Sequence, residues 1–227
     1  ALRTKRRGLE NPSGANRTVI VMADSTASWL QTLVLALIQG LSEFLPISSS
    51  AHLVLPSQLL GWPDQGLLFD VAVHVGTLMA VMVYFRRDLL VLLGDIYPPL
   101  ARHQASTGEL WRLGVATLPA VLAGVLLSDT IEQYLRGLEV IATTTIVFGL
   151  LLGWSSLRAQ QVPAGVLQTV TWWGALIIGF AQMLALIPGV SRSGVTITAG
   201  LFLGYSSATA ARFSFLMSMP IIAGAMV

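Results

Sequence analysis

From residue 29 onward, apolar segments follow one another with only short polar stretches between them. They lie at about 29–47, 66–85, 89–100, 110–128, 138–157, 170–188, 195–205 and 213–227. Three of them, 66–85, 110–128 and 138–157, reach the roughly 20 residues that a helix needs to cross a bilayer. The bilayer core offers no partner for backbone N–H and C=O groups, which favours helices throughout. The two shortest, 89–100 and 195–205, are predicted to be interfacial, re-entrant or half-spanning.

The composition excludes the main alternatives to a membrane protein. Apolar residues make up 54% of the 227 residues and charged residues only 11%, against roughly 25% charged residues in an ordinary soluble domain. The chain has no cysteine, which excludes a disulfide scaffold and a cysteine-based zinc site. We therefore predict an all-α polytopic membrane protein.

The basic residues are unevenly distributed. Five of the thirteen precede Trp29, whereas the rest of the chain has eight arginines and nine acids. The formal charge of +2 therefore belongs to residues 1–28, predicted to be a basic, polar and disordered extension without a signal peptide. We expect no nucleic-acid partner. Residues 29–227 are predicted to form one transmembrane domain. Because the sequence stops inside an apolar run, we expect further membrane segments beyond it.

Loop charges predict an orientation. The stretch 86–112 carries four arginines and is expected on the cytoplasmic side by the positive-inside rule. The acidic stretch 129–139 then faces outward, and Arg158 returns the chain to the inside. The same alternation places residues 48–66 and the end of segment 170–188 toward the outside.

Two apolar segments are interrupted in the same way. In each, a glutamine (Gln39 or Gln182) precedes a proline (Pro46 or Pro188), and a serine-rich turn and a second apolar stretch follow. The two copies are spaced about 140 residues apart, which predicts an internal, inverted repeat with two re-entrant or broken helix pairs. Interrupted helices at matching positions of two halves are the sequence signature of a binding site near the bilayer midplane.

Arg192 is the strongest indication of an anion site. An arginine within an apolar region is costly unless an anion or a carboxylate meets it, and its planar fork suits phosphate. Its neighbours could supply further hydroxyl and backbone donors to such an anion. The predicted substrate-binding residues of this turn are Gly189, Ser191, Ser193, Gly194 and Thr196. The alternative is a structural ion pair, for which Glu43 is the natural partner.

Glu43 is the one acid of the first apolar segment, and Gln39 lies on the same helical face four residues earlier. A carboxylate near phosphate works either through a divalent metal or as a proton carrier. Glu43 is therefore the candidate metal ligand, with Gln39 a weaker one.

Three serines and a histidine follow that carboxylate. Ser49 with His52 resembles a nucleophile and its base, while Ser48 and Ser50 are candidate substrate contacts; a purely helix-capping role is the alternative. On the next segment Asp70 and His74 share a helical face and are expected to pair or to line the cavity.

At these two motifs the chain resembles the undecaprenyl-diphosphate phosphatases of bacterial membranes, the BacA/UppP family. Residues 39–52 match the form Glu/Gln-x-x-x-Glu-Phe-Leu-Pro-x-Ser-Ser-x-x-His, and residues 188–196 match Pro-Gly-x-Ser-Arg-Ser-Gly-x-Thr. The resemblance runs from about Trp29 to Val227. The first motif position is Gln39 where the family also has glutamate, which leaves Glu43 as the only motif carboxylate.

The resemblance implies removal of the terminal phosphate of undecaprenyl diphosphate, which regenerates the lipid carrier for peptidoglycan synthesis and is associated with bacitracin resistance. It implies a divalent cation, Mg²⁺ or Ca²⁺, at Glu43, diphosphate binding by Arg192, and phosphoryl transfer by Ser49 and His52. It further implies a multi-pass protein of the bacterial inner membrane whose active site faces the periplasm. We also expect that the chain can form a homodimer.

Two other functions fit parts of the pattern. Inverted repeats and broken helices are typical of transporters, so a transporter or flippase of a lipid phosphate or other anion is the main alternative. A membrane scaffold with a purely structural Arg192–Glu43 pair is the other. Ser49 and His52 separate these hypotheses, because transport needs anion donors but neither a nucleophile nor a proton carrier.

Overall fold

The computed structural model describes residues 29–63, 65–97, 108–135, 137–160 and 169–224, and every regular element within these ranges is a helix. This confirms the all-α prediction. The helices are α1 (Trp29–Ser42), α2 (Ser49–Leu60), α3 (Leu67–Tyr84), α4 (Arg86–Leu93), α5 (Glu109–Tyr134), α6 (Leu138–Ala159), α7 (Trp172–Met183), α8 (Arg192–Phe202) and α9 (Ser207–Gly224).

Two stretches of helix, Glu109–Leu127 in α5 and Leu138–Ala159 in α6, are each long and apolar enough to cross a membrane. Helix α3 qualifies as a third span only together with α4, and the two are bent by 75° at Phe85. The segment 66–85 was predicted to be long enough to span alone, whereas in the structure α3 meets the length and composition of a span only together with α4. Helix α4 also occupies the start of the predicted loop 86–112.

Some sequence predictions fall outside the described residues. They concern the polar extension 1–28, Arg102 and the rest of 98–107, Arg136, and the last three residues, 225–227.

Both predicted interruptions are present. Helix α1 ends at Ser42, a turn containing Pro46 follows, and α2 begins at Ser49. Helix α7 tightens into a 3₁₀ turn at Leu184–Leu186 before the chain turns at Pro188 and enters α8. Proline favours each break, since it has no N–H to donate within a helix, but it does not determine the break alone, because Pro56, Pro119 and Pro220 lie inside α2, α5 and α9. The inverted symmetry of the two halves stays a prediction.

The core forms where α5 packs on α7, and where α8 packs on α6 and α9. The helices α5 and α7 approach closely at Gly179, where an added Cβ would lie 2.5 Å from the carbonyl oxygen of Ala116. The most buried large side chains, Ile178, Phe213, Leu216 and Met217, lie on α7 and α9.

A cluster of charges joins three helices outside this core. Arg212 of α9 lies 2.7 Å from Asp88 of α4 and 2.5 Å from Glu109 of α5. Because Asp88 and Glu109 lie in the first turns of α4 and α5, this cluster fixes where α9 meets both helices.

Substituting Gly179→Ala should lower the free energy of unfolding by about 1–3 kcal/mol, because the new methyl group overlaps the backbone of Ala116. Thermal or denaturant unfolding in detergent measures the change. Gly114→Ala on α5 is the matched control, since nothing lies within 4 Å of its Cβ position. Removing a helical glycine there should be neutral or stabilising by up to about 1 kcal/mol. Equal effects of the two substitutions would contradict the predicted contact.

Candidate active site

The carboxylate of Glu43 is the centre of the site. Arg192 donates from Nη2 to Oε1 at 2.6 Å. The other oxygen, Oε2, accepts hydrogen bonds from Ser49 Oγ at 2.6 Å and Gln39 Nε2 at 2.9 Å, and His74 Nε2 lies 3.6 Å from it. Only 6% of the Glu43 side chain and 15% of the Arg192 side chain are exposed. The structure thus brings four candidate residues and His74 together around the buried carboxylate of Glu43.

The first turn, residues 43–48 between α1 and α2, holds Glu43 and Ser49 in contact. The amide of Glu43 donates to the carbonyl of Gln39 at 3.0 Å, so helical geometry extends one residue past α1 and stacks the two side chains. Ser48, just before α2, has φ 63 and ψ 92. A residue other than glycine with positive φ is strained, and such strain concentrates at functional sites. This residue lies between Glu43 and Ser49, whose side chains are hydrogen-bonded to each other.

The second turn, residues 187–191 before α8, is held in place by Ser191 and by Ser193 of α8. Ser191 caps α8 by accepting the Gly194 amide at 3.1 Å. Ser193 donates to the carbonyl of Leu45 at 3.1 Å, which ties the second turn to the first. Thr196 is buried and shares a hydrogen bond of 2.7 Å with Ser214 of α9.

A cavity of about 440 Å³ opens beside the cluster. Its polar wall consists of Glu43, Ser48, Ser49, Ser50, His74, Gln182, Ser191 and Arg192. Its apolar wall comes from α5 and α9, including Val121, Val125 and Ile222. Such a cavity accommodates an anionic head against the polar wall and hydrocarbon against the other.

The remaining predicted donors lie elsewhere. Among the residues that line this cavity, the second motif contributes only Val190, Ser191 and Arg192. The lining does not include the other predicted residues of this motif, which are Gly189, Ser193, Gly194 and Thr196. Their role in substrate binding stays a prediction.

The two histidines differ in position. His52 places Nδ1 2.8 Å from the carbonyl oxygen of Ser48 and does not line the cavity. His74 does line it, and its Nδ1 lies 2.6 Å from the carbonyl oxygen of Asp70. The predicted acid–base role of His52 stays a prediction. His74 is the histidine that lies next to Glu43, and its four-residue spacing from Asp70 was the only sequence signal that pointed to it.

Two threonines of α6 support the second turn, and sequence analysis did not identify them. Thr144 Oγ1 lies 2.7 Å from the carbonyl oxygen of Pro188, and Thr145 Oγ1 donates to that of Gly189 at 3.0 Å. Gly189 has φ 91, and a Cβ there would overlap the Thr144 hydroxyl. The turn therefore needs glycine and is held against α6.

The donor atoms around Glu43 fit a divalent cation. Gln39 Oε1 is buried and has no hydrogen-bond partner among the described residues, and it belongs to the amide that contacts Glu43 Oε2. The unpartnered Gln39 Oε1, the Glu43 carboxylate and the Ser49 hydroxyl are all oxygen groups, and oxygen is the ligand that Mg²⁺ and Ca²⁺ prefer. No group of three or more His, Cys, Asp or Glu side chains suited to a metal exists among the residues described, so such a cation would rely on amide and hydroxyl oxygens.

Substituting Thr144→Val should weaken binding of inorganic diphosphate about fivefold, because losing one hydrogen bond worth about 1 kcal/mol loosens the turn that carries Arg192. Isothermal titration calorimetry measures the affinity. The control is Thr143→Val, an exposed neighbour on the same helix. Unchanged affinity in Thr144→Val would show that the Thr144 hydroxyl does not position the turn.

Comparison with known proteins identifies the chain's relatives. The sequence profile described as bacitracin resistance protein BacA matches residues 32–227. Proteins named undecaprenyl-diphosphatase from Chromohalobacter salexigens and Alcanivorax borkumensis are 58% and 59% identical to it, each over 87% of this chain and 74% of its own length. The protein of the same name from Saccharophagus degradans is 56% identical over 85% of this chain and 72% of its own. The chain therefore belongs to the BacA family of bacitracin resistance proteins.

Proposed function

We propose that the chain is an undecaprenyl-diphosphatase, a membrane hydrolase that removes the terminal phosphate of undecaprenyl diphosphate. Relatives that carry this name are 54–59% identical to it. The product, undecaprenyl phosphate, is the carrier that peptidoglycan synthesis uses again. Bacitracin resistance follows in this proposal from rapid removal of the diphosphate form.

The single observation that carries the proposal is the contact among Glu43, Ser49 and Arg192. A hydroxyl that donates to a carboxylate oxygen at 2.6 Å is arranged to lose its proton to that oxygen. An arginine at 2.6 Å from the other oxygen is close enough to bind the phosphoryl group that the hydroxyl attacks. A transporter needs the arginine but not the activated hydroxyl.

In the first step, Ser49 Oγ attacks the terminal phosphorus and its proton passes to Glu43 Oε2. The bond from that phosphorus to the bridging oxygen breaks, and undecaprenyl phosphate leaves with the electron pair. In the second step, water attacks the phosphorus of the phosphoserine and the bond from that phosphorus to Ser49 Oγ breaks. Ser49 Oγ takes back the proton held by Glu43, and inorganic phosphate leaves with the two protons of the water. Arg192 offsets the charge on the transferring group, which has three equatorial oxygens.

A divalent cation, Mg²⁺ or Ca²⁺, is part of the proposal. Glu43 and the orphaned oxygen of Gln39 would hold it, with the diphosphate completing its ligands. When bound it would neutralise negative charge on the diphosphate. His52 is kept as a candidate proton donor or acceptor near Ser49, and Ser48, Ser50 and Ser191 as substrate contacts.

The protein is embedded in a membrane, and we place it in the bacterial inner membrane with the cavity open to the periplasm. The arginines of 86–112 and Arg158 support this orientation. The prenyl chain would remain in lipid, alongside the apolar wall of the cavity. A homodimer fits the same proposal, because the exposed apolar helix faces suit a second copy as well as lipid.

Purified protein should release phosphate from a prenyl diphosphate when Mg²⁺ or Ca²⁺ is present, and EDTA should abolish the release. Arg192→Ala should lower kcat/KM by about 10²–10³-fold, because a donor to the developing charge is lost. A colorimetric phosphate assay measures the rate. Arg158→Ala, at an exposed arginine, is the matched control and should retain wild-type activity.

Ser49→Ala separates hydrolysis from transport. Under the proposal it abolishes phosphate release but retains diphosphate binding. If Ser49→Ala moved the lipid across vesicles at the wild-type rate and the wild type released no phosphate, the transporter would be the correct function.

The absence of cysteine from the chain allows a clean test of orientation. A cysteine at Gln58 of α2 should react with a membrane-impermeant maleimide on intact cells, because the predicted topology places it outside. A cysteine at Arg87 of α4 should react only after permeabilisation. Both positions are exposed, so the reverse pattern would place the cavity on the cytoplasmic side.

A further inference from the structure

We infer that Arg112 and Trp172 form a binding site for the phosphate group of an anionic phospholipid, at the place where helices α5 and α7 begin. Arg112 lies in the first turn of α5, and Trp172 is the first residue of α7. The guanidinium carbon of Arg112 is 5.5 Å from the centre of the Trp172 ring, which is a cation–π contact. Neither residue lines the cavity beside Glu43, so the inference does not depend on the proposed function.

Arg112 is a partly buried arginine without a carboxylate partner. Within the described ranges, three arginines are partly buried: Arg112, Arg192 and Arg212. Arg192 and Arg212 each form ion pairs with carboxylates. Arg112 makes no hydrogen bond or ion pair with another described residue, and its Nε is buried. Because burying a charge is costly unless an opposite charge meets it, this arginine is suited to bind an anion.

The acids near the beginning of α5 are already engaged. Asp88 and Glu109 both pair with an arginine of α9. The carboxylate of Asp95 accepts hydrogen bonds from two backbone amides at the start of α5. The stretches that precede α5 and α7, residues 98–107 and 161–168, contain no acidic residue, and the first of them adds an arginine and a histidine. The anion that offsets the charge of Arg112 is therefore expected to come from another molecule.

Exposed tryptophans place this arginine at the level of the lipid headgroups. The exposed fractions are 57% for Trp111, 51% for Trp172 and 75% for Trp173. Tryptophan is enriched where the hydrocarbon of a bilayer meets its headgroups, so these rings mark that level on α5 and α7. The phosphate of a membrane lipid is the anion present there, and a guanidinium can bind it through two parallel hydrogen bonds.

The charge of the site favours a lipid with a net negative headgroup. In phosphatidylcholine the ammonium group of the lipid already offsets its phosphate, whereas phosphatidylglycerol has no such group and is attracted by basic residues at the membrane surface. Helices α5 and α7 pack on each other in the core, and a phosphate bound by Arg112 would hold their first turns together. Because a ligand that binds only the folded chain stabilises it, the lipid should raise Tm.

The test measures binding of phosphatidylglycerol to the whole chain in detergent, with Kd from native mass spectrometry and Tm from thermal unfolding. Phosphatidylglycerol should raise Tm more than phosphatidylcholine or inorganic phosphate does. Arg112→Gln should raise the Kd for phosphatidylglycerol by about tenfold or more, because charge-assisted hydrogen bonds are lost. Arg158→Gln, at an exposed arginine of α6, is the matched control and should retain the wild-type Kd.

A second variant tests the aromatic contact. Trp172→Leu keeps an apolar side chain at the start of α7 but removes the ring on which Arg112 stacks. Its Kd for phosphatidylglycerol should rise about two- to fivefold, the effect expected from losing an exposed cation–π contact.

Equal Kd values for the wild type and Arg112→Gln would overturn the inference. An equal rise in Arg112→Gln and Arg158→Gln would also overturn it, because that pattern indicates a general attraction between basic residues and lipid. If inorganic phosphate raised Tm as much as phosphatidylglycerol, the ligand would be a soluble anion and the lipid assignment would be wrong. If Arg112→Gln does not fold, Trp172→Leu decides, and an unchanged Kd in that variant would refute the site.

Discussion

The pairing of Glu43 with Arg192 is the interaction on which the rest of the structure depends. Each charge alone would be expensive inside a membrane, and their contact of 2.6 Å makes both tolerable. Removing either partner would leave an uncompensated buried charge, which is strongly destabilising. The two broken helices are thus held face to face by the same groups that would bind the substrate.

The neighbouring contacts fix the position of Arg192 relative to Glu43. The hydrogen bond from Ser193 to Leu45 joins the two turns through neutral groups, and Thr144 and Thr145 fasten the second turn to α6. Arg192 therefore has little freedom to turn away from Glu43. The resulting rigidity is what phosphoryl transfer requires, because the protein contributes mainly positioning and fixed charge.

Much of this arrangement could be predicted from the sequence. Long apolar segments predicted the helices, and prolines 46 and 188 predicted where two of them break. Glu43 and Arg192 each lie within an apolar segment. Because buried charges require partners, the sequence predicted that these two residues would pair. The position of His74 was harder to predict, because it depends on how α3 packs against α1, which periodicity within α3 does not encode. The same limit applies to Thr144 and Thr145, whose partners lie 44 residues away. It also applies to His52, whose Nδ1 lies against the carbonyl oxygen of Ser48.

Glu43 and Arg192 are 149 positions apart in the chain, and this separation has a consequence for biosynthesis. At about 5–20 residues per second, the ribosome makes Arg192 on the order of ten seconds after Glu43. During that interval the first broken helix carries a carboxylate whose counter-ion does not yet exist. We therefore expect the first turn to reach its final packing only after α8 has been made and Arg192 can pair with Glu43.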